Sequence, residues 1–193
     1  MSAAFYGSNG VTTGLATTLI DGDLRLEQFA DAHVEGLRAA CAEDQDIWPI
    51  YPFSMIGEHF DPSLARLRSF PNWQLFAVLD GGRVAGMTGY IYIDEPSHAL
   101  EIGATYIAPR VRGSGFNRRM KTLMIDHAIE VGFKRIEFRV DTRNERSMAA
   151  VMKLGARHEG TLRQNRKTWT GYVRDTAIYS LLAHEWTASS TAG

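Results

Sequence analysis

The chain has 193 residues, 45% of them hydrophobic, with 22 acidic and 21 basic side chains and a formal net charge of −1. That size and mixture suit one globular domain with a sizeable core, and the near-neutral balance gives no global pull toward nucleic acid or membrane surfaces. No apolar run approaches the roughly 20 residues of a membrane helix, the start lacks a secretory pattern, and a single cysteine, Cys41, excludes an internal disulfide and suits a reducing cytoplasm.

Met1 to Gly14 and Thr187 to Gly193 are small, polar and rich in glycine or serine, so they read as loose tails around one domain over 15–186. Leu24-Arg25-Leu26 predicts a short strand, and the stretch from Asp31 or Ala32 to Ala42 a first helix, with Cys41 as core filler. Ile47 to Phe60 mixes aromatic residues with Pro49 and Pro52 and reads as irregular or broken helix. Pro62 to Phe70 reads as a short helix with proline near its start. Strands over 75–79 and 84–93 are joined by Asp80-Gly81-Gly82, a hairpin signal. A strand over 99–107 precedes a helix over 115–131, where Phe116, Met120, Leu123, Met124, His127, Ala128 and Val131 recur at helical spacing. A strand at 135–140, a helix at 145–154 stopped by Gly155, and strands near 157–167 and 173–182 close the chain. Hairpin strands followed by strand–helix–strand units imply an α/β fold with a mixed, mostly antiparallel sheet and helices on both faces.

The most informative stretch is Arg110-Val111-Arg112-Gly113-Ser114-Gly115, between the strand at 99–107 and the long helix. A glycine-rich turn opening a helix aims unpaired backbone N–H groups at one spot, a ready anion site. Arg110, Arg112, Arg118, Arg119 and Lys121 crowd the turn and helix start, and no acid follows before Asp126. Cations there oppose the macrodipole by up to about 1 kcal/mol each, which a bound anion relieves. A P-loop is excluded because no Lys-Ser/Thr pair follows the glycines, and a dinucleotide fingerprint because its third glycine falls on Arg118. Backbone groups of Gly113, Ser114, Gly115, Phe116 and Asn117 would hold the anion, with Arg110 and Arg112 adding charge-assisted bonds.

The pattern that fits the turn is [RQ]-x-x-G-x-[GA], and the segment resembles the acetyl-CoA pyrophosphate motif of GNAT N-acetyltransferases. From Leu100 to Trp186 the order is similar to the branch that includes the ribosomal-protein N-terminal acetyltransferases. The matching residues are Glu101-Ile102-Gly103 before the turn, Asn144-Glu145-Arg146-Ser147, Lys153-Leu154-Gly155-Ala156, Glu159-Gly160, and Arg174-Asp175-Thr176 followed by Ile178-Tyr179-Ser180-Leu181. Ala156 stands where that branch usually has an aromatic residue. The resemblance implies a single-domain GNAT fold and a cytoplasmic enzyme moving acetyl from acetyl-CoA, without a metal, to a small-molecule amine or peptide N-terminus. It also implies that Tyr106 and Ile107 join the turn in binding CoA, and that Asn144 contacts the pantetheine arm and Ser147 approaches the thioester sulfur. Nucleic acid and membrane are not expected as partners, and assembly as a homodimer is left open.

Among the catalytic candidates, Glu101 is the best base, because a carboxylate inside an apolar strand is costly unless paired or useful. Strict alternation puts Ala99, Glu101, Gly103 and Thr105 on one face and Leu100, Ile102, Ala104 and Tyr106 on the other. The structural alternative for Glu101 is an ion pair with Arg139 on the next strand. Asn144 also reads as an N-cap, Ser147 as a solvated helix serine, and Tyr179 as either a second candidate acid or core. His98, His127, His158 and His184 show no metal-binding spacing. Trp48, Tyr51, Phe53, Tyr90, Tyr92 and Trp169 are candidates for a substrate pocket or for core, while Asp44, Asp46, Asp94 and Glu95 are expected either to attract a cationic amine or to be solvated. Protein N-terminus, polyamine, amino acid and antibiotic stay open as acceptors. The alternatives are the same fold using a longer acyl-CoA, and a non-catalytic acyl-CoA-binding sensor or interaction module.

Overall fold

Eight strands form one sheet in a computed structural model that describes residues 12–190. Helix α1 (Thr12–Leu15) leads into β1 (Leu19–Asp21) and β2 (Leu24–Gln28), followed by α2 (Val34–Ala42) and α3 (Phe60–Arg68). Between these helices the proline- and aromatic-rich stretch holds short 3-10 turns at Trp48–Ile50 and Gly57–His59. Next come β3 (Gln74–Asp80), β4 (Arg83–Asp94), β5 (Ala99–Ile107), α4 (Phe116–Glu130) and β6 (Arg135–Asp141). The chain continues with α5 (Glu145–Lys153), β7 (Arg157–Lys167), β8 (Val173–Leu182) and α6 (Ala183–Ser190). The sequence shows no signal for β1, which is three residues long with only Leu19 buried. Of the expected N-terminal tail, residues 1–11 lie outside the described residues.

The strand order is β1-β2-β3-β4-β5-β6-β8-β7, and β5–β6 is its parallel pair. Between β3 and β4, Gly81 (φ 55°) and Gly82 (φ 84°) take the left-handed conformations that a tight primed turn requires. Helices cover both faces. On one, Phe116, Met120, Met124, Ile125 and Ala128 of α4 pack on Phe76, Tyr90, Ile102 and Phe138. On the other, Leu37, Cys41, Phe60, Leu64 and Leu67 from α2 and α3 pack with Trp48 on Met87 and Tyr106. Cys41 is fully buried there and its thiol is pushed far up by desolvation, so it acts as an apolar filler. Among the described residues, no helix is long and apolar enough to cross a membrane.

Two irregularities in the middle of this sheet position the site. First, β5 and β6 pair only over Ala99–Glu101 against Arg135–Glu137. Beyond that, β5 stays with β4 as far as Ile107 and β6 stays with β8 as far as Asp141, so the two parallel strands splay into a wedge. Second, Met87 pairs with Tyr106 and Gly89 with Gly103, leaving Thr88 opposite two residues, and one of these, Ala104, has φ 49°. This is a β-bulge, and it corrects the alternation expected from sequence. Before the bulge, Ile102 faces α4; after it, Thr105 and Ile107 do, while Ala104 and Tyr106 turn to the α2–α3 side. Thr105 therefore does not share a face with Glu101.

Candidate functional site

The wedge is the mouth of a cavity of about 620 Å³, a size typical of small-molecule sites. One end is lined by Ile107, Arg112, Gly113 and Asn117, with Asn144 and Ser147 facing them from the start of α5. At the other end stand Glu101, Tyr92, Trp73, Phe70, Arg139 and Arg166. Along β5 the two ends are about 20 Å apart, at roughly 3.3 Å of rise per residue.

At the first end, Gly113 (φ 79°) and Gly115 (φ 85°) are left-handed, and Gly115 caps α4 without a side-chain bond to the free N–H groups. Ser114 Oγ donates to the Val111 carbonyl at 2.9 Å and offers the Phe116 N–H only a long 3.4 Å contact. Arg112 donates through Nε to the Ile107 carbonyl at 2.9 Å and pairs with Asp44, yet its Nη2 is buried without a partner. An orphaned guanidinium nitrogen beside an uncapped helix start suits a phosphate. The rest of the basic crowd separates. Arg110 turns away to Glu43 and the Val84 carbonyl, and Arg119 pairs with Asp21 and Asp23. Of the other residues expected to bind the ligand, Phe116 is buried core, Tyr106 donates to the Ala40 carbonyl at 2.8 Å while stacking on Trp48, and Ser114 and Gly115 lie outside the cavity wall.

At the other end, Glu101 is 6% exposed, and its Oε2 lies 3.3 Å from Arg139 Nε without forming a hydrogen bond. Burial pushes its carboxyl up to about 7 against the opposing pull of Arg139. The ion pair expected with Arg139 exists and is too poor to hold the carboxyl in the ordinary acidic range. Gly103 makes the arrangement sterically possible, since a Cβ there would sit 2.7 Å from Glu101 Oε1 and 2.5 Å from Ile91 Cδ1.

Lys121 corrects the picture of a surface cation at the glycine turn. It is 5% exposed, and its Nζ donates to Thr105 Oγ1 at 2.7 Å, beneath the bulge. Thr105 and Thr88 hydroxyls bond each other at 2.8 Å. Desolvation lowers the ammonium to about 7, with Glu101 the opposing charge. The signal was present in the sequence, because Lys121 falls three and seven residues before Met124 and Ala128 on the apolar stripe of α4.

At the α5 end of the wedge, Asn144 accepts from the Ser147 N–H at 3.0 Å as an N-cap. Ser147 is half-buried and lines the cavity. Tyr179 is 4% exposed in the core, off the cavity, which removes it as a candidate acid. Trp48 and Tyr90 are likewise fully buried; Tyr90 donates to the Met124 carbonyl at 2.8 Å, so neither lines a pocket. Tyr51 and Phe53 do line it, with the Tyr51 hydroxyl donating to the Thr105 carbonyl at 2.9 Å. Asp44, Asp46, Asp94 and Glu95 do not, whereas Asp141, which sequence reasoning passed over, does. No cluster of metal-ligating side chains occurs among the described residues.

Comparison with known proteins agrees with this geometry. Residues 23–157 match the family model of the acetyltransferase (GNAT) domain. A protein from T. thermophilus described as an acetyltransferase is 32% identical, with 91% of this chain and 94% of that one covered and a TM-score of 0.81. A GCN5-related N-acetyltransferase from Brucella melitensis is 27% identical, with 92% and 83% covered and a TM-score of 0.80. RimJ of Mycobacterium smegmatis, in complex with CoA-disulfide, shares the fold at 21% identity, 92% and 96% coverage and a TM-score of 0.77. No curated protein matches the chain.

Proposed function

We propose that this chain, which belongs to the GNAT acetyltransferase family, moves an acetyl group from acetyl-CoA to a primary amine by direct attack in a ternary complex. The observation that carries this reading is the shared cavity. An anion-ready turn stands at one end of the wedge, and a buried carboxyl held at about 7 stands at the other. Acetyl-CoA supplies the activated acyl group, and its phosphates are assigned to Arg112 and the backbone of 113–117, the pantetheine arm to the open edge of β5 and to Asn144. Such a placement uses the orphaned Arg112 Nη2 and the uncapped start of α4.

Glu101 is assigned the role of base. A group titrating near 7 is deprotonated often enough at neutral pH to accept a proton and still basic enough to take it from an ammonium or attacking amine, directly or through water. Arg139 limits the rise and keeps the carboxylate aimed into the cavity. Ser147, on the opposite wall, is assigned to help protonate the departing thiolate by donating its hydroxyl hydrogen bond to the sulfur and relaying a proton that water returns to its oxygen, and its backbone N–H stays tied to Asn144. The fold itself leaves the acceptor open, since one scaffold hosts many specificities.

The test is thioester cleavage across a panel of primary amines, with free CoA detected by a thiol reagent. Amine-dependent release is expected. Binding of acetyl-CoA with no release above hydrolysis for any amine would make the protein a CoA-binding sensor instead. Running acetyl-CoA against longer acyl-CoA donors in the same assay decides the acyl chain.

A further inference from the structure

The end of the cavity that holds Glu101 is basic, which is unexpected for a site that receives an amine. Arg166 of β7 donates to the Tyr92 hydroxyl at 2.9 Å and, among the described residues, forms no ion pair. It stands in register directly opposite Arg174 of β8, and like charges at such positions destabilise a strand pair. Arg174 is buried, and its nearest carboxylate, Asp141, is 4.0 Å away and already engaged by Arg143 at 2.7 Å. Burial and the facing Arg166 lower the Arg174 guanidinium, against the opposing pulls of Asp141 and Glu101. The acids of the cavity wall are Glu101 and Asp141, and each already faces an arginine. Nearby Trp73 contributes a donor in want of an acceptor, because its indole Nε1–H is buried without a partner. Arg166, tied to Tyr92, stands at the Glu101 end of β5, about 20 Å along the strand from the glycine turn, so a phosphate held at 112–117 does not satisfy it, while Arg174 stands beside Asp141 where β6 leads into α5.

We propose that the acceptor is an amine that also carries a carboxylate, seated on Arg166 and Arg174 while its amino group meets Glu101. This rests on the reading of Glu101 as the base that faces the acceptor. Paired donors whose nearby acids are shared with Arg139 and Arg143 suit a further carboxylate, and they repel polyamines and polycationic antibiotics, which would carry like charge into a desolvated site. The carboxylate has two sources: the α-carboxylate of a free amino acid or dipeptide, or an acidic side chain near a protein N-terminus.

The experiment measures kcat/KM with acetyl-CoA for matched acceptors. These are a dipeptide and its C-terminal amide, a longer peptide amide with aspartate or asparagine at its second residue, and spermidine. In at least one matched pair the acidic member is expected to win by about tenfold or more, equal to about 1.4 kcal/mol. The pair that shows the preference identifies the source of the carboxylate. The ratio should shrink with added salt and fall to within about threefold in Arg166→Gln. Equal rates within both pairs, or spermidine as the best acceptor, overturn the proposal while leaving acetyl transfer intact. If no amine releases CoA, the transferase reading fails, and calorimetry of the same peptides on CoA-saturated protein decides the anion site: absence of an acid preference there overturns it.

Discussion

Replacing Glu101 by glutamine should move activity and stability in opposite directions, and the structure sets both magnitudes. The side chain keeps its shape over Gly103 but can no longer accept a proton, so kcat/KM with a good amine should fall by about 100-fold or more, the scale of general-base catalysis. In the wild type, kcat/KM should rise with pH through about 7, where the buried carboxyl ionises; in Glu101→Gln that limb should vanish. Stability follows from the same displacement. A carboxyl raised from 4.5 to about 7 by burial keeps its proton in the folded state where the unfolded chain has lost it. The native protein therefore loses stability as pH climbs between those two values. At about 1.4 kcal/mol per pH unit, the full cost above pH 7 is of order 3 kcal/mol. Glutamine carries no such cost, so the variant should match wild type near pH 4.5 and exceed it by up to about 3 kcal/mol at pH 8. Urea unfolding at both pH values, beside initial rates from pH 5.5 to 9, reads both effects. A variant that loses activity and stability together at pH 8 would refute the argument, since Glu101 would then be a net structural partner of Arg139.

The remaining predictions touch other parts of the cavity. Gly115→Asp forces a side chain onto a φ of 85° and a carboxylate beside the anion site, so calorimetry should show at least about a tenfold loss of acetyl-CoA affinity. Ser147→Ala should lower turnover about 3- to 30-fold without a loss of thermal stability, because Asn144 caps α5 through the backbone N–H that alanine retains. Tyr179→Phe should turn over like wild type, given that Tyr179 lies off the cavity. Lys121→Met should stabilise the protein at pH 6, where the buried ammonium is charged in both states, by up to about 5 kcal/mol. Since the lysine is lowered from 10.5 to about 7, that gain should fade as pH rises between these values, as denaturant titrations at pH 6 and 10 would register.

Much of this protein is legible from local signals. Hairpin glycines at 81–82, the apolar periodicity of α4 and the glycine stop at 155 each act within a few residues, so their elements appear where the sequence places them. The anion-ready turn is equally local, being built from left-handed glycines at a helix start. Glu101 stands out because an acid in an apolar strand is anomalous whatever surrounds it. The surroundings needed the fold. The bulge opposite Thr88 is a relation between two strands, and Ala104 gives no hint of its positive φ, so alternation misplaced Thr105. The fates of the turn's cations were decided by partners far off in sequence: Glu43 for Arg110, Asp21 for Arg119 and the two threonines for Lys121. The acceptor end depended on the same kind of information. Tyr90 and Trp48 look like pocket aromatics until the helices close over them, while Arg166 and Arg174 come together only because β7 and β8 pair in register. Sequence by itself determined the elements and the glycine turn that opens α4, whose causes lie within one turn or strand; the tertiary structure alone decided which charges meet, because burial and ion pairing depend on distances that the chain order does not contain.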